Sequence, residues 1–284
     1  MSSGILELLL SPPLLALLGL CVGSFLNVVI HRLPLMLERG WKLDSAEMLG
    51  VKLDTPPVPI TLSTPRSRCP SCGHPIAWHQ NVPVLSYLRL RGKCSACKTP
   101  ISPRYPIIEI LTASVFAALA WKFGPQPVTL LWCGFAAVLV ALAGIDWDTT
   151  LLPDDLTLPL LWAGLVAAAL GWTIPLSSSV WGAVAGYLSL WTVYWLFKLA
   201  TGKEGMGFGD FKLLAALGAW LGANMILPIV LAASVIGAVV GIAMKLNASL
   251  REGRYVPFGP FLAGAGMVVL LLGSSRVLDW LGWS

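Results

Sequence analysis

Two aspartates in this sequence have the type and position for acid–base chemistry at a membrane. Asp210 closes the glycine-rich stretch 205–210 and directly precedes an apolar run, whereas Asp146 directly follows one. A carboxylate at the end of a membrane helix is costly and is by default a candidate functional residue. Two carboxylates at the same depth on facing helices cannot both ionise easily, so near neutral pH one acts as acid and the other as base. Such a pair can activate water against a peptide carbonyl without a metal.

The acidic loop that contains Asp146 holds three further aspartates, Asp148, Asp154 and Asp155. Asp148 is expected to be solvated. Either Asp154 or Asp155 is expected to cap the helix that begins after Pro153, since Asp is a favoured N-cap residue. Asp146 and Asp210 are therefore the predicted pair. Transporters use the same residue types as ion or proton relays, so the residues alone leave protease and transporter as equal alternatives.

Four cysteines form a second candidate site. Cys69 with Cys72 and Cys94 with Cys97 make two CxxC pairs, separated by 21 residues. Four thiolates at this spacing can converge on a tetrahedral Zn²⁺, and four sulfur ligands leave no open position, so the predicted zinc is structural. Disulfides are the alternative in an oxidising compartment. His74 and His79 lie between the pairs and could replace a cysteine as ligand, but a surface position is favoured for both.

The composition identifies a polytopic membrane protein, in which helices must carry these residues. Hydrophobic residues make up 56% of the chain and charged residues only 12%, against about 25% charged in a soluble domain. The predicted fold is all-α, with about eight transmembrane helices of about 20 residues each. These spans lie near residues 8–30, 105–122, 126–145, 156–173, 178–199, 211–226, 227–245 and 257–275. Asn224 and Pro228 mark a tight turn between the sixth span and the seventh.

Lysine and arginine set the expected orientation, because cytoplasmic loops carry an excess of both. If the polar insert 31–104 is cytoplasmic, then of the 19 Lys and Arg only Lys122 and Arg276 fall outside. Both acidic loops and the four cysteines then face the cytosol, where disulfides are rare. The net charge of +5 is explained by this orientation, so no nucleic-acid partner is expected. The predicted domains are a first transmembrane helix (1–30), a cytosolic zinc-ribbon-like insert (31–104) and a seven-helix core (105–284).

Motifs in a specific order along essentially the whole chain resemble the type IV prepilin peptidases, which are bifunctional membrane enzymes. Besides the paired CxxC module, the resemblance rests on residues 23–34, on 104–106 leading to Glu109, and on 145–154 with the first aspartate. It continues with GFGD at 207–210, the motif of the GxGD intramembrane aspartyl proteases, followed by Lys212, and ends with PFGPF at 257–261.

The resemblance implies cleavage of prepilin and pseudopilin leaders at the cytoplasmic face of a bacterial inner membrane, followed by methylation of the new amino terminus with S-adenosylmethionine. It implies Asp146 and Asp210 as the catalytic pair, in an active-site loop with Gly207, Gly209 and Lys212. Three alternatives are disfavoured. The intact insert argues against a peptidase that has lost methylation, and the acids cluster at the span ends rather than mid-membrane as in a transporter. No HExxH is present for a zinc protease.

The methyl donor has no recognisable binding fingerprint, since no Gly-rich strand–turn–helix motif occurs. Its site is expected between the insert and the membrane spans, with Gly92, Lys93 and Glu109 as candidates. For Glu109 a favourable position near a helix start is an equal alternative. Ser24 and Asn27, one helical turn apart, could contact substrate, and interhelical hydrogen bonds explain them equally well. Membrane lipid is an expected partner, and the oligomeric state is open.

Overall fold

The computed structural model describes residues 3–52, 59–246 and 256–283. Within these ranges the chain forms α-helices, two short 3-10 turns (Trp78–Gln80 and Ala223–Met225) and no β-strand. The all-α prediction is confirmed. In chain order the helices are α1 (Ser3–Leu9), α2 (Pro12–Met48), α3 (Leu85–Arg89), α4 (Arg104–Phe123), α5 (Pro127–Thr149), α6 (Asp154–Ala169), α7 (Leu176–Thr201), α8 (Phe208–Leu221), α9 (Ile226–Leu246), α10 (Gly259–Leu272) and α11 (Ser274–Leu281).

Every predicted span coincides with a helix, but the helices differ widely in length. Among the described residues, five are long and apolar enough to cross a membrane: Pro12–Met48, Arg104–Phe123, Pro127–Thr149, Leu176–Thr201 and Ala223–Leu246. Helices α10 and α11 would make a sixth span only as a pair bent by 102°. Helix α6 has 16 residues and α8 has 14, which is about 21–24 Å of helix against a hydrocarbon core of about 30 Å. A membrane protein with several spans is confirmed, while the number eight stays a prediction.

The chain divides into two compact units, residues 1–133 and 134–284. In the N-terminal unit, α2 packs along α4 through two glycines. A Cβ on Gly19 would lie 2.7 Å from the Cα of Ala113, and one on Gly23 would lie 2.7 Å from the Cα of Glu109, so only glycine permits this approach. Helix α4 thus packs on α2 within the N-terminal unit, while the division into a first helix (1–30), an insert (31–104) and a seven-helix core (105–284) stays a prediction.

Helix α2 runs to Met48, well beyond the predicted end of the first span at residue 30. The apolar run ends where the charges begin, but a helix outside the membrane needs no apolar run, and the following residues are mostly good helix formers. Near the end of the apolar run in α2, the Arg32 guanidinium donates to the carbonyls of Thr61 (2.9 Å) and Pro65 (2.7 Å). This contact ties the segment before the first CxxC pair to α2.

The C-terminal unit is built around α8, whose residues 210, 211 and 213–220 are all buried. A helix that is apolar all round belongs in the interior of a bundle. The Trp220 indole N–H donates to the Leu160 carbonyl of α6 (2.8 Å), and the Ser179 hydroxyl of α7 donates to the Ala219 carbonyl (2.6 Å). Gly182 of α7 lies directly against Gly218 of α8, as its small-xxx-small spacing favours. The first turn of this central helix carries Asp210.

The connections at the ends of α8 follow the sequence signals. A glycine with positive φ follows each helix, Gly202 (φ 71°) after α7 and Gly222 (φ 92°) after α8, and both are positions that favour glycine. The 3-10 turn Ala223–Met225 then leads into α9, which confirms the predicted turn at Asn224. Pro228, the other residue assigned to that turn, lies instead in the first turn of α9. Two basic residues assigned to the cytoplasmic side, Arg251 and Arg254, lie outside the described residues.

Candidate active site and metal site

Asp146 lies in the last turn of α5 and is 5% exposed. Its Oδ2 accepts a hydrogen bond of 2.9 Å from the backbone N–H of Gly259, the first residue of α10. The two residues are 113 positions apart in sequence. One of the free N–H groups at a helix start thus holds the carboxylate in place.

Asp210 lies in the first turn of α8 and is 8% exposed. Its backbone N–H donates to the Gly207 carbonyl at 3.3 Å. Among the described residues its Oδ1 is buried without a hydrogen-bond partner. Leu152 lies against Gly209, the residue before Asp210, and close to Gly259, which holds Asp146, so the two aspartates selected from the sequence lie near each other. A buried acceptor with no partner is costly, and it is available to a substrate or a water molecule.

Leu152 and two glycines enclose these carboxylates. A Cβ on Gly259 would lie 2.5 Å from Asp146 Oδ2 and 3.2 Å from Leu152 Cδ1, and a Cβ on Gly209 would lie 2.7 Å from Leu152 Cβ. Gly207 differs, since the nearest atom to its Cβ would be Asp210 Oδ2 at 3.9 Å. Sequence reasoning missed Leu152 and Gly259 as site residues. The signal for Gly259 was its place in the PFGPF motif, which was recognised without a role.

Lys212 contacts a different aspartate from the candidate pair. Its ammonium lies 2.7 Å from both Oδ1 and Oδ2 of Asp154, which joins α8 to α6. The predicted capping role of Asp154 or Asp155 is wrong: Pro153 occupies the N-cap position of α6, and no side chain caps it. The two aspartates instead lie in the first turn, where negative charge also suits the helix dipole. Asp148 is exposed, as expected.

The four cysteines converge as predicted. Their Sγ atoms all lie within 4.8 Å of one another, and those of Cys69 and Cys97 are 3.8 Å apart. Tetrahedral Zn²⁺ with bonds of about 2.3 Å requires sulfur–sulfur distances of about 3.8 Å. The residues present therefore fit a Cys₄ zinc site. His74 and His79 are exposed and are not in this cluster.

The two CxxC turns have the same backbone conformation. The Cys69 N–H donates to the His74 carbonyl and the Cys94 N–H to the Thr99 carbonyl, both at 2.9 Å. The residue after each second cysteine has positive φ, 70° at Gly73 and 60° at Lys98. A β-bridge closes each turn, Arg68 with Pro75 and Lys93 with Pro100. Each pair thus forms a knuckle that presents two sulfurs to one point.

The thiols of this cluster differ in acidity. Hydrogen bonds between Cys97 and the side chain and backbone of Thr99 lower the pKa of the Cys97 thiol to about 6. The pKa of Cys72 is raised to about 11: a backbone hydrogen bond at His74 acts to lower it, but partial desolvation of the exposed thiol and its hydrogen bonds with the neighbouring thiols outweigh that bond. Without a cation, four thiols this close cannot all ionise. A divalent metal would stabilise the thiolates together.

The candidates for the methyl-donor site lie at two places in the N-terminal unit. Glu109 is 7% exposed, and its Oε2 accepts the backbone N–H of Val84 at 2.7 Å, at the start of α3. Gly92 and Lys93 follow the other end of α3, where Gly92 (φ 65°) packs against the Tyr87 ring. All three residues stay candidates for the methyl-donor site. The Glu109 carboxylate also joins α4 to the insert through the Val84 N–H.

The polar residues of the first helix have partners within the N-terminal unit. The Asn27 amide donates to the Tyr105 carbonyl of α4 at 3.1 Å, and Ser24 follows Gly23, which lies directly against Glu109 of α4. These are contacts between helices, which is one of the two alternatives that the sequence left open for Ser24 and Asn27. A role in substrate contact for either residue has no support in these contacts.

Fold and site together define a class: a helical membrane protein with two neighbouring buried carboxylates and a separate Cys₄ module. Residues 17–123 match the family model described as the bacterial peptidase A24 N-terminal domain, and residues 133–242 match the type IV leader peptidase family. No solved structure matches the chain.

Curated relatives extend this similarity over more than nine tenths of the chain. A protein of Aeromonas hydrophila named "Prepilin leader peptidase/N-methyltransferase" is 51% identical over 92% of this chain and 91% of its own length. Proteins with the same name from Stutzerimonas stutzeri and Pseudomonas aeruginosa are 49% and 50% identical, each over 93% of this chain and 91% of their own. The chain belongs to the type IV leader peptidase family, and the resemblance found in the sequence is confirmed.

Proposed function

We propose that this chain removes the leader from type IV prepilins and pseudopilins and then methylates the new amino terminus. Membership of the leader peptidase family supports the first activity, and the names of the relatives support both. The N-terminal unit, which matches its own family model, contains the paired cysteines expected of a bifunctional member.

Asp146 and Asp210 are the proposed catalytic pair. The observation that carries this proposal is the contrast between their carboxylates: Gly259 holds Asp146 Oδ2, while the buried Asp210 Oδ1 has no partner among the described residues. One carboxylate is held in position and its neighbour keeps an oxygen available for a reactant. A transporter relay would use similar residues, but it has no support from the relatives.

The pair can hydrolyse a peptide bond without a covalent intermediate. The ionised carboxylate takes a proton from a water molecule while the water oxygen bonds to the carbonyl carbon, and the protonated carboxyl gives its proton to the carbonyl oxygen. The resulting gem-diol then collapses: the carbon–nitrogen bond breaks as the carboxyl that received the water proton gives it to the leaving nitrogen, and the other carboxylate takes a hydroxyl proton from the gem-diol. Because the pair titrates as a unit, the proton belongs to both residues rather than to one.

Zinc is the proposed resident metal, held by Cys69, Cys72, Cys94 and Cys97. It would hold two knuckles of the insert together and, with four sulfur ligands, would offer no position to a substrate. S-adenosylmethionine is the proposed methyl donor. Gly92 and Lys93 stay candidates for its site, and Glu109 is the weakest of the three because its carboxylate already accepts the Val84 N–H.

The proposed location is the bacterial inner membrane, with the aspartates and the cysteine module at the cytoplasmic face. The asymmetric distribution of lysine and arginine supports this orientation. It would bring the catalytic pair to the level at which a cytosolic leader joins a membrane-inserted substrate helix. Prepilin and pseudopilin substrates and membrane lipid are the proposed partners.

Leader cleavage by the purified protein in detergent tests the proposal. Asp146→Asn and Asp210→Asn keep the size of each side chain but remove its ability to accept or release a proton, so each should reduce cleavage on the order of 10²-fold or more. The thermal unfolding midpoint of Asp146→Asn should stay close to that of the wild type, since the amide oxygen of the new side chain could still accept the Gly259 N–H.

Asp155→Asn is the matched control, since Asp155 is exposed and lies in the same acidic loop. It should cleave like the wild type. Full cleavage by either Asp146→Asn or Asp210→Asn would remove that residue from the mechanism, and full cleavage by both would refute the aspartyl pair.

A further inference from the structure

An ion pair at the end of α7 has no place in the chemistry described so far. The Lys198 ammonium lies 2.8 Å from Glu204 Oε1 and 3.1 Å from the Tyr194 hydroxyl. It also lies 5.5 Å from the ring centroids of Tyr194 and Trp195, within the range of a cation–π interaction. Glu204 belongs to the connection between α7 and α8, residues 202–207, which we call the glycine loop. Lys198 thus joins α7 to the loop that leads to Asp210.

The glycine loop follows one face of α7. A Cβ on Gly205 would lie 2.9 Å from the Phe197 ring, so the loop backbone is in close contact with that side chain. Where the loop ends, the Tyr194 ring packs against the rings of Phe208 and Phe211 of α8, with centroid distances of 5.3 Å and 5.7 Å. Tyr194 is 3% exposed. Phe197, Tyr194 and the Lys198–Glu204 pair therefore hold the loop and the first turn of α8 against α7.

The packing of α7 on α8 gives the distance that the glycine loop must cover between Lys198 and Asp210. Gly182 faces Gly218 and Gly186 faces Leu214, so the two antiparallel helices keep a constant register. If the same register continues, Asp210 of α8 lies opposite Leu190 of α7. Lys198 is eight residues after Leu190, which is about 12 Å along the axis of α7 at 1.5 Å per residue. The glycine loop therefore covers this distance between the end of α7 and the candidate active site.

The composition of the loop explains why it needs a side-chain contact. Three of its six residues are glycines: Gly202, Gly205 and Gly207. Glycine loses more conformational entropy on ordering than any other residue.

Lys198 also lowers the pKa of the Glu204 carboxyl, through their hydrogen bond and through its charge, so Glu204 is ionised and paired at neutral pH.

We infer that Lys198 and Glu204 are positioning residues for leader cleavage: their ion pair fixes the glycine loop along α7 and thereby sets the position of Asp210. Neither residue touches the reacting atoms. The inference rests on the proposed function, because the reaction that it tunes is the proposed cleavage. Since the two side chains are 34% and 70% exposed, the pair adds little to global stability. We therefore expect the ion pair to affect the rate of cleavage rather than the free energy of unfolding.

The test uses the full-length protein in detergent and a prepilin substrate. Lys198→Met and Glu204→Gln should each lower kcat about fivefold with KM unchanged, near the upper limit of what an exposed ion pair can contribute. The double variant should be no slower than either single variant, since both break one interaction. Lys198→Arg should restore at least half of the wild-type kcat. Lys203→Met, which removes the adjacent exposed cation of the same loop, is the control and should leave kcat unchanged.

Hydrogen exchange of the glycine loop gives a readout that does not depend on catalysis. Amides 203–207 should exchange faster in Lys198→Met and Glu204→Gln, but not in Lys203→Met. Unchanged kcat in the first two variants, an equal loss in Lys203→Met, or additive losses in the double variant would each overturn the inference. If the wild type does not cleave but the loop exchanges faster in the variants, the ion pair orders the loop while the proposed function fails.

Discussion

The two units of this protein position their functional residues by different physical means. In the C-terminal unit, Asp146 and Asp210 lie at the ends of apolar helices, and glycines bring the backbone within van der Waals contact of Asp146 and Leu152. In the insert of the N-terminal unit, Cys69, Cys72 and Cys97 are not buried, and the knuckles have only short hydrogen-bonded turns around them.

This difference determines what each site can tolerate. The carboxylate pair depends on close packing, where a single added methyl group has no room. The cysteine module has too little apolar area to fold by burial, so metal coordination must supply most of its stability. Three perturbations should separate these two modes, and the largest effect is expected at the metal ligands.

Removing the metal ligands should produce the largest effect, and only in the insert. Cys72→Ser combined with Cys97→Ser leaves two sulfurs, so the tetrahedral site that holds the two knuckles together is lost. Residues 59–103 should become sensitive to protease, and the bound zinc measured by mass spectrometry should be lost. The unfolding midpoint of the membrane helices should not move.

Cys21→Ser is the control for the metal prediction, because Cys21 is an exposed cysteine outside the cluster. It should retain zinc. Loss of leader cleavage on chelation, with the insert still resistant to protease, would contradict a purely structural role for the metal.

Gly259→Ala should produce the next largest effect, and in the catalytic unit alone. Its Cβ would lie 2.5 Å from Asp146 Oδ2, so the carboxylate or the start of α10 must shift. Misplacement by about 1 Å can cost on the order of 10²-fold in rate. The measurement is kcat for leader cleavage.

Gly264→Ala is the matched change on the same helix, since a Cβ there meets nothing within 4 Å and alanine favours helix over glycine. It should cleave normally. Equal activity in Gly259→Ala and Gly264→Ala would show that the close packing at Asp146 is not needed for catalysis.

Lys212→Met should produce the smallest effect. The ammonium pairs with Asp154, and the two side chains are 29% and 52% exposed, so the pair contributes about 0–1 kcal/mol to stability. Cleavage should fall by less than about fivefold, and Asp154→Asn should have the same effect with no further loss in the double variant. A loss as large as that of Asp210→Asn would place Lys212 in the chemistry instead.

Much of the candidate site could be predicted because its signals are local. The CxxC spacing predicts knuckles from the turn each pair makes, and all four sulfurs converge accordingly. Asp146 and Asp210 could be selected because each directly adjoins an apolar run. Helix lengths were less predictable: the apolar run 257–275 continues through Gly273, where the chain bends by 102°, since hydrophobicity does not report where a short buried helix ends.

The capping prediction failed for a related reason. Asp is a favoured N-cap residue, but Pro153 takes that position with extended backbone, and Asp154 becomes available to Lys212 of another helix. Local propensity describes one helix at a time. The competing partner lies 58 residues away.

By itself, the sequence determined the class of protein, the order of its helices, and the six side chains that could carry chemistry or bind metal. These follow from residue type, hydropathy and short-range spacing. Only the tertiary structure decided that Gly259 holds Asp146, that Leu152 packs against Gly209, and that Lys198 reaches Glu204 beside Tyr194. Such contacts depend on the register between packed helices, and no spacing along a single helix encodes which residue of its neighbour will lie at the same depth.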